Sequence, residues 1–160
     1  PLAELKAGTA IVNADAIKNA LIGNIGGTIG ETCAIALIIG GIYLLVKHVI
    51  SWRIPVVYIV VVFILTSLMR GNGFLGGVYE IFCGGLMLGA IFMATDYVTS
   101  PISAKGQIIF AIGCGVLTSL IRVYGGYPEG VSYSILIMNL AVPLIDRVTR
   151  PRIFGEVKAK

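Results

Sequence analysis

Residues 33–46 read CAIALIIGGIYLLV, an apolar run that follows the glycine-rich stretch GNIGGTIGE at residues 23–31. The run is typical of the whole chain, which has 160 residues and is 57% hydrophobic and only 12% charged. Its mean hydropathy of +0.95 is far above the usual balance of a water-soluble domain. The composition therefore indicates an integral membrane protein.

Apolar runs recur along the chain at a length that suits membrane spans. Each is close to the roughly 17–25 residues that an α-helix needs to cross a bilayer. They lie at residues 29–46, 52–69, 76–94, 107–123 and 131–145. None alternates polar with apolar residues as a barrel strand does, and lipid leaves no backbone group unpaired, so helices are expected. The predicted fold is an all-α integral membrane protein with five transmembrane helices.

Basic residues indicate the orientation of these five helices. Four lie on one predicted side of the membrane and eight on the other, namely Lys6, Lys18, Arg70 and Arg122 against Lys47, Arg53, Lys105, Arg147, Arg150, Arg152, Lys158 and Lys160. Because basic residues concentrate in cytoplasmic loops, the C-terminus is expected inside and the start of the chain outside. Charges that flank spans, without interleaved aromatic residues, argue against nucleic acid as a partner.

The same topology predicts three parts of the chain. Residues 1–28 form an outer-side segment with a glycine-rich entry and a short interfacial helix at 14–22. Residues 29–145 form the five-helix transmembrane domain, and residues 146–160 form a cytoplasmic basic tail.

Two carboxylates stand in or beside predicted spans. Glu31 and Glu80 each follow a glycine pair and precede a cysteine, in GGTIGETCAIALIIGG at 26–41 and GGVYEIFCGGLMLGA at 76–90. Each is expected about one turn into its helix. Intramembrane acids are functional candidates by default, and the glycines suit either a ligand cavity or close helix packing. A structural role suits both acids equally, as caps of broken helices or as partners of Arg70 or Arg122.

An arginine precedes each glycine-rich loop on the expected outer side. Arg70 precedes GNGFLGG and Arg122 precedes VYGGYPEG. A guanidinium, mobile backbone and aromatic rings together could hold a phosphate and stack on a planar ring. Snorkelling arginines in an aromatic belt explain the same pattern without a ligand.

A further carboxylate lies among hydroxyl groups on the expected inner side. Asp96 stands in FMATDYVTSPISAKG at residues 92–106, and hard oxygen groups of this kind suit a cation. The alternative is a polar turn, in which Pro101 ends one helix and Ser100 or Ser103 caps the next.

Neither a catalytic group nor a metal centre is predicted from the residues alone. The cysteines Cys33, Cys83 and Cys114 fall in separate predicted spans without a CxxC pair, and this is typical of small buried hydrophobes. An iron–sulfur centre needs four ligands, so the stretch could supply only part of one. His48, beside Lys47, suits an interfacial position better than a ligand.

Four stretches resemble one family of membrane proteins. GNIGGTIGETCAIALIIGG, FMATDYVTSPISAKGQIIFAIGCGVLTSLIR, YPEGVSYSILIMNLAVPLID and RVTRPRIFG are similar, in this order, to the C-terminal half of the D subunits of Rnf electron-transport complexes. The homologous B subunits of sodium-pumping NADH:quinone oxidoreductases are similar through NLAVPLID, but TRPRIFG suits the Rnf subunits better. The likeness covers almost all 160 residues.

This resemblance implies a fold, a cofactor and a function. The subunit would have about ten transmembrane helices in two repeats, of which this chain is the second, inverted one. The complex would pass electrons between ferredoxin and NAD through subunits carrying flavins and iron–sulfur centres. This transfer would be coupled to Na⁺ or H⁺ transport across the bacterial cytoplasmic membrane.

The resemblance also implies where the flavin is attached. FMN would be joined by a phosphoester bond to a threonine, in a motif whose next residues are typically Pro-Leu, as at Pro1 and Leu2. We therefore expect the chain to continue upstream and the flavin-bearing threonine to precede Pro1 directly.

Residue roles follow from the resemblance as expectations. The flavin or its phosphate is expected near the glycine-rich entry and the two arginines, that is Gly23, Asn24, Gly26, Gly27, Thr28, Glu31, Arg70 and Arg122. The ion pathway is expected at Asp96, Glu31 and Glu80. Two other functions stay open: a small-solute or ion channel or transporter with glycine-broken helices, and a purely structural membrane subunit.

Overall fold

The protein is built from helices. The computed structural model describes residues 2–8, 12–27, 30–71, 73–126 and 129–149, and all regular structure in these ranges is helical, as predicted. Eight helices follow one another there. They are α1 (Leu2–Lys6), α2 (Ala14–Ile22), α3 (Ala34–Val46), α4 (Arg53–Arg70), α5 (Gly73–Phe82), α6 (Leu86–Met93), α7 (Ala104–Tyr124) and α8 (Val131–Thr149).

The main core lies where α4, α7 and α8 pack together. Tyr58 of α4 and Phe110 of α7 are fully buried in it. The Tyr58 hydroxyl is hydrogen-bonded to Thr118 Oγ1 at 2.6 Å, which satisfies both polar groups in an apolar interior. A Cβ on Gly115 would lie 2.6 Å from Val61 Cγ1, so α4 and α7 approach each other closely at a glycine.

The helices α5 and α6 form one broken helix. They are bent by 67° at the residues between Phe82 and Leu86. Gly84 has a φ of +71° there, a left-handed conformation that glycine adopts without strain. α6 opens with Leu86–Leu88 in α geometry and continues through Gly89–Met93 as a π-helix, a form that is frequent at functional sites.

Three helices, α4, α7 and α8, are long and apolar enough to cross a membrane. The broken pair of α5 and α6 adds a fourth span if it is counted as one. α3 has 13 residues and rises about 20 Å, which is short of the roughly 30 Å of bilayer hydrocarbon. The described ranges therefore hold three to four apolar spans, and the predicted five-helix repeat is not confirmed.

The first predicted span, at residues 29–46, is shorter in the structure. Its helix begins at Ala34, after Gly30 with a φ of +95° and an extended Cys33. Glu31 therefore precedes α3, and Glu80 lies near the end of α5. The expected position of each acid about one turn into its helix was wrong. The chain turns at the glycine-rich approach before α3 begins at Ala34, whereas α5 begins at Gly73 and ends two residues after Glu80.

Other local predictions have mixed outcomes. The helix at residues 14–22 is confirmed as α2. Ser103 caps α7 as predicted, since its Oγ accepts a hydrogen bond from the Gly106 N–H at 2.9 Å. α8 runs to Thr149, so residues 146–149 belong to the last helix rather than to the tail, whose remaining residues 150–160 lie outside the described ranges.

Apolar side chains cover the outward faces of the long helices. Exposed residues recur every four positions along α4 and α8, namely Val56, Val60, Ile64 and Leu68, and Leu136, Leu140, Leu144 and Val148. Faces of this kind suit lipid hydrocarbon or neighbouring transmembrane helices. Together with the long apolar helices, they identify a multi-pass membrane protein.

Candidate functional site at the broken helix

A pocket lies where the glycine-rich entry meets the break between α5 and α6. Its volume is about 150 Å³. Residues of α1, of the entry, of the break and of the segment before α8 line it, namely Leu2, Ala3, Ile25, Gly26, Gly27, Glu31, Thr32, Gly84 and Glu129. We refer to this space as the glycine pocket.

Glu31 and Glu129 converge on the two glycines of the break. A Cβ on Gly85 would lie 2.5 Å from Glu31 Oε2 and 3.9 Å from Glu129 Oε2. One on Gly84 would lie 3.3 Å from Glu129 Oε1. Oxygens of both glutamate side chains therefore lie close to one point at the break. Glu31 is only 6% exposed and Glu129 is half-buried, and the missing Cβ atoms of Gly84 and Gly85 leave room for the two carboxyl groups.

The Glu129 carboxyl has an altered affinity for protons. Burial raises the pKa of Glu129, and the hydrogen bond with Glu31 and its negative charge raise it further. The Arg122 guanidinium and the Gly85 N–H act in the opposite direction. The net effect is that this carboxyl keeps its proton at a higher pH than a glutamate on an open surface.

Arg122 of α7 fills the interior beside this pair and has no exposed surface. Its Nη1 donates to the Glu80 carbonyl at 2.8 Å, its Nη2 to the Cys83 carbonyl at 3.4 Å and its Nε to the Glu129 carbonyl at 3.2 Å. The first two carbonyls lie at the C-terminal end of α5, where a helix leaves carbonyls unpaired and its dipole is negative. The guanidinium therefore stabilises the break.

Arg70 and Glu80 form an ion pair between α4 and α5. Arg70 Nε lies 2.8 Å from Glu80 Oε1, with side chains 10% and 2% exposed. Because the Nε–H is not aligned for a hydrogen bond, this contact is electrostatic, and Arg70 Nη2 donates instead to the Arg122 carbonyl at 3.0 Å. Within the described part of the chain, Glu80 Oε2 and Ser67 Oγ are buried without a hydrogen-bond partner. Of the alternatives that the sequence left open for Glu80, the structure shows the ion pair with Arg70.

Asp96 lies at the opposite end of α4. This helix has 18 residues and is about 27 Å long, with Arg70 at its last turn. Near the first turn of α4, the hydroxyl of Tyr97, the residue after Asp96, donates a hydrogen bond to the Val49 carbonyl. Asp96 is exposed, and its Oδ2 accepts a hydrogen bond from Thr99 Oγ1 at 3.2 Å. A second cavity of about 380 Å³ adjoins this turn, lined by His48, Val49, Ile50, Ser51, Trp52, Arg53, Ile54, Thr95, Tyr97, Ser100 and Gln107.

The predicted site residues fall into three groups. Glu31, Arg70, Glu80 and Arg122 meet at one end of the bundle, joined by the contacts above. The glycine-rich entry runs beside them. Gly26 and Gly27 line the pocket, and Asn24 is exposed. Gly23 packs against Cys33, since a Cβ on Gly23 would lie 3.2 Å from the Cys33 Cβ. Asp96 stands apart, and Thr28 lies outside the described residues.

Glu129, Gly84 and Gly85 were not predicted as site residues. Glu129 stands in YPEG between two spans, where an acid ordinarily belongs to a solvated turn. The one available signal was its position on the expected outer side, which it shares with Glu31.

Space and charge decide what this site can hold. The glycine pocket is smaller than the roughly 300–1,000 Å³ of typical cofactor sites, and its two carboxyl groups repel a phosphate. Arg122 presents no exposed atom, and Arg70 is largely buried in its ion pair, so neither fits the expected contact with flavin. The interior of the pocket therefore does not fit FMN. Beside the pocket, Asn24, Gly26 and Gly27 are exposed, and main-chain N–H groups of a glycine-rich stretch can hold a phosphate.

Metal binding has no support at either end of the bundle. Among the described residues, no group of three His, Cys, Asp or Glu side chains is placed to hold a metal ion. Cys83 and Cys114 are buried, and Cys33 is half-buried at the start of α3.

Comparison with known proteins gives the family. The profile of the NQR2, RnfD, RnfE family matches residues 1–155. The chain belongs to this family. Several similar relatives in this family are D subunits of such complexes, which confirms the predicted resemblance to Rnf D subunits.

Three relatives illustrate the likeness. The D subunit of the Na(+)-translocating ferredoxin:NAD(+) oxidoreductase complex of Acetobacterium woodii is 52% identical over 100% of this chain and 49% of its own length. The D subunit of the proton-translocating ferredoxin:NAD(+) oxidoreductase complex of Clostridium ljungdahlii is 55% identical over 86% of this chain and 43% of its own length. The D subunit of the ion-translocating oxidoreductase complex of Stutzerimonas stutzeri is 46% identical over 88% of this chain and 40% of its own length. The chain spans about half the length of the curated relatives it matches.

Proposed function

We propose that this chain is part of a membrane subunit of an ion-translocating ferredoxin:NAD⁺ oxidoreductase, active only within its complex. The names of its relatives support the assignment. The observation that carries it is the buried charge network at one end of an apolar bundle, formed by Glu31, Arg70, Glu80, Arg122 and Glu129. Ionisable groups inside a membrane are costly and mark ion or proton pathways, which supports an energy-coupling role.

The transported ion passes acidic groups at the two ends of the bundle in this proposal. Glu31 and Glu80 serve one end, and Asp96 serves the other. The relative from Acetobacterium woodii is named for Na⁺ and that from Clostridium ljungdahlii for protons, at 52% and 55% identity. Because such similar relatives differ in the named ion, the proposal covers both Na⁺ and H⁺.

In this proposal the subunit would hold FMN. When bound, FMN would supply the electron-transfer chemistry that amino-acid side chains lack. It would be attached through its phosphate to a threonine directly before Pro1. Leu2 lines the glycine pocket, and the exposed main chain of Asn24, Gly26 and Gly27 beside that pocket would hold the phosphate by its N–H groups.

Neighbouring subunits and lipid cover the apolar faces of α4 and α8. The partners are subunits that carry further flavins and iron–sulfur centres. The membrane is the bacterial cytoplasmic membrane, with residue 1 on the outer side and residue 160 in the cytoplasm. The exposed apolar rows on these helices support contacts with other transmembrane helices.

A channel or transporter for a small solute is the second candidate. The broken helix of α5 and α6, held by a buried Arg122, favours it, because broken helices line solute pathways in transporters. Fluorescence of the denatured full-length polypeptide distinguishes the two. Flavin fluorescence that stays on the polypeptide supports the redox function, whereas a colourless polypeptide that conducts solute into vesicles supports the channel.

A further inference from the structure

We propose that Glu31 and Glu129 form a pH-sensitive latch, in which a proton on the Glu129 carboxyl holds it to Glu31 and so fastens the segment around Glu31 to the break between α5 and α6. The latch joins two side chains that both lie outside the helices, Glu31 before α3 and Glu129 before α8. It controls access to the glycine pocket, and it does not depend on the proposed electron transfer.

The geometry brings three separate segments to one point. Glu31 comes from the entry before α3, Gly84 and Gly85 from the break, and Glu129 from the segment before α8. An oxygen of each glutamate lies within 4 Å of the Cβ position on Gly85, at 2.5 and 3.9 Å. The pocket of about 150 Å³ beside them has room for water molecules that exchange the proton.

Two carboxyl groups that converge on one point attract each other only if one of them holds a proton, and burial raises the pKa of Glu129. Ionised carboxylates only accept hydrogen bonds, so two of them cannot bond to each other. The balance of charges also requires one proton. The charge of Glu80 is already neutralised by Arg70. Arg122 interacts with both Glu80 and Glu129. The network then holds two arginines and the three carboxyls of Glu31, Glu80 and Glu129, so one proton makes it neutral. Without the proton, a net negative charge would be buried, which is costly.

The groups around the pair come from helices α1, α4, α5 and α7 and from the break. The charges that act on Glu129 are Glu31 and Arg122. Arg122 in turn interacts with Glu80 of α5, Tyr58 of α4 and Cys83 at the break, and Glu4 of α1 and Tyr79 of α5 interact beside Cys83. Of these, Glu80 is neutralised by Arg70, so the proton of the latch depends chiefly on the balance between Glu31 and Arg122.

The direction of the pH effect follows from this balance. Closing the latch raises the pKa of Glu129, because the closed state buries the carboxyl against Glu31. The closed state therefore binds the proton more tightly than the open state. The free energy by which the proton favours the closed state is fully present below the pKa that Glu129 has in the open state. It is lost as the pH rises through the higher pKa that Glu129 has in the closed state. Rising pH opens the latch.

The test uses the full-length subunit in its complex, reconstituted in lipid nanodiscs. Infrared pH-difference spectra follow the carbonyl stretch of protonated carboxyl groups, and hydrogen exchange follows peptides covering residues 23–33 and 129–135. We expect the protonated-carboxyl band to disappear as the pH rises. Exchange of both peptides, corrected for the intrinsic pH effect, should increase about tenfold or more as the latch opens.

Two variants and one control separate the latch from general pH effects. In Glu129→Gln the amide donates permanently to Glu31, so both pH-dependent signals should vanish while the peptides stay protected. Glu31→Gln should act in the same way and serves if the first variant does not assemble. Asp15→Asn, on the exposed face of α2, should keep the wild-type response.

A pH-independent wild type, or a Glu129→Gln protein that keeps the wild-type response, would overturn the latch. Neither readout requires flavin or ion transport, so failure here is distinguishable from failure of the proposed function.

Discussion

Arg122 Nη1 lies 2.8 Å from the carbonyl oxygen of Glu80, so a side chain of α7 pairs with the main chain at the end of α5. A broken helix inside a membrane must satisfy its freed carbonyls within the protein, because lipid offers no donors. The planar guanidinium makes three such bonds at once, to the carbonyls of Glu80, Cys83 and Glu129. The break and the glycine pocket therefore depend on this one residue.

Removing this guanidinium should destabilise the protein strongly. We expect Arg122→Gln to lower the free energy of unfolding by about 3–5 kcal/mol, because it leaves buried carbonyls and a buried carboxyl pair uncompensated. Arg122→Lys keeps the charge but not the fork of donors, so it should recover only part of the loss. Thermal unfolding of the full-length protein in detergent measures both, with Lys18→Gln on α2 as an exposed control. An Arg122→Gln protein as stable as this control would contradict the capping role.

The ion pair of Arg70 and Glu80 should show strong coupling. Each single variant, Arg70→Met or Glu80→Leu, leaves one buried charge without its partner, whereas the double variant removes both charges. We therefore expect the double variant to be more stable than either single one. Unfolding free energies of the four proteins form a double-mutant cycle that measures this coupling. Additive losses would show that the two side chains do not depend on each other.

A methyl group at Gly85 should disturb the carboxyl pair. Its Cβ would lie 2.5 Å from Glu31 Oε2, so Gly85→Ala should cost about 1–3 kcal/mol as overpacking. Gly26→Ala is the matched control on the same pocket, since nothing lies within 4 Å of its Cβ position. Thermal unfolding together with hydrogen exchange at residues 23–33 checks the difference. Equal effects of the two substitutions would mean that Glu31 does not lie against the break.

Asp96 gives a prediction at the other end of the bundle. Asp96→Asn removes an exposed charge and should change stability by less than about 0.5 kcal/mol. In proteoliposomes containing the whole complex, we expect slower ion-coupled turnover at unchanged flavin content. Asp15→Asn is the control for loss of an exposed carboxylate. Wild-type ion transport in the Asp96 variant would remove this residue from the proposed pathway.

The long spans could be predicted from sequence, and the start of α3 could not. Continuous apolar runs predicted α4, α7 and α8, because hydrophobicity over about 20 residues decides membrane insertion locally. The stretch before Ala34 is also apolar and glycine-rich. In the folded chain Glu31 of this stretch lies against Gly85, which comes much later in the sequence. A local pattern carries no information about such a contact.

The same limit applies to the site. Sequence predicted that Glu80 could pair with Arg70 or Arg122, because all three fall near one end of their spans, and the structure selects Arg70. The alternative of a phosphate for Arg122 was reasonable, since nothing in VYGGYPEG reveals that α5 breaks beside it. Glu129 was missed because its pairing with Glu31 exists only in the folded chain.

The central claim is that this chain belongs to a membrane protein that carries electrons on a flavin attached directly before Pro1. Peptide mass spectrometry of the full-length polypeptide, isolated from its membrane, tests this most directly. The expected result is the mass of FMN on the threonine of a peptide that ends immediately before PLAELK. A full-length polypeptide whose peptides all lack flavin, including the one that adjoins PLAELK, would contradict the claim.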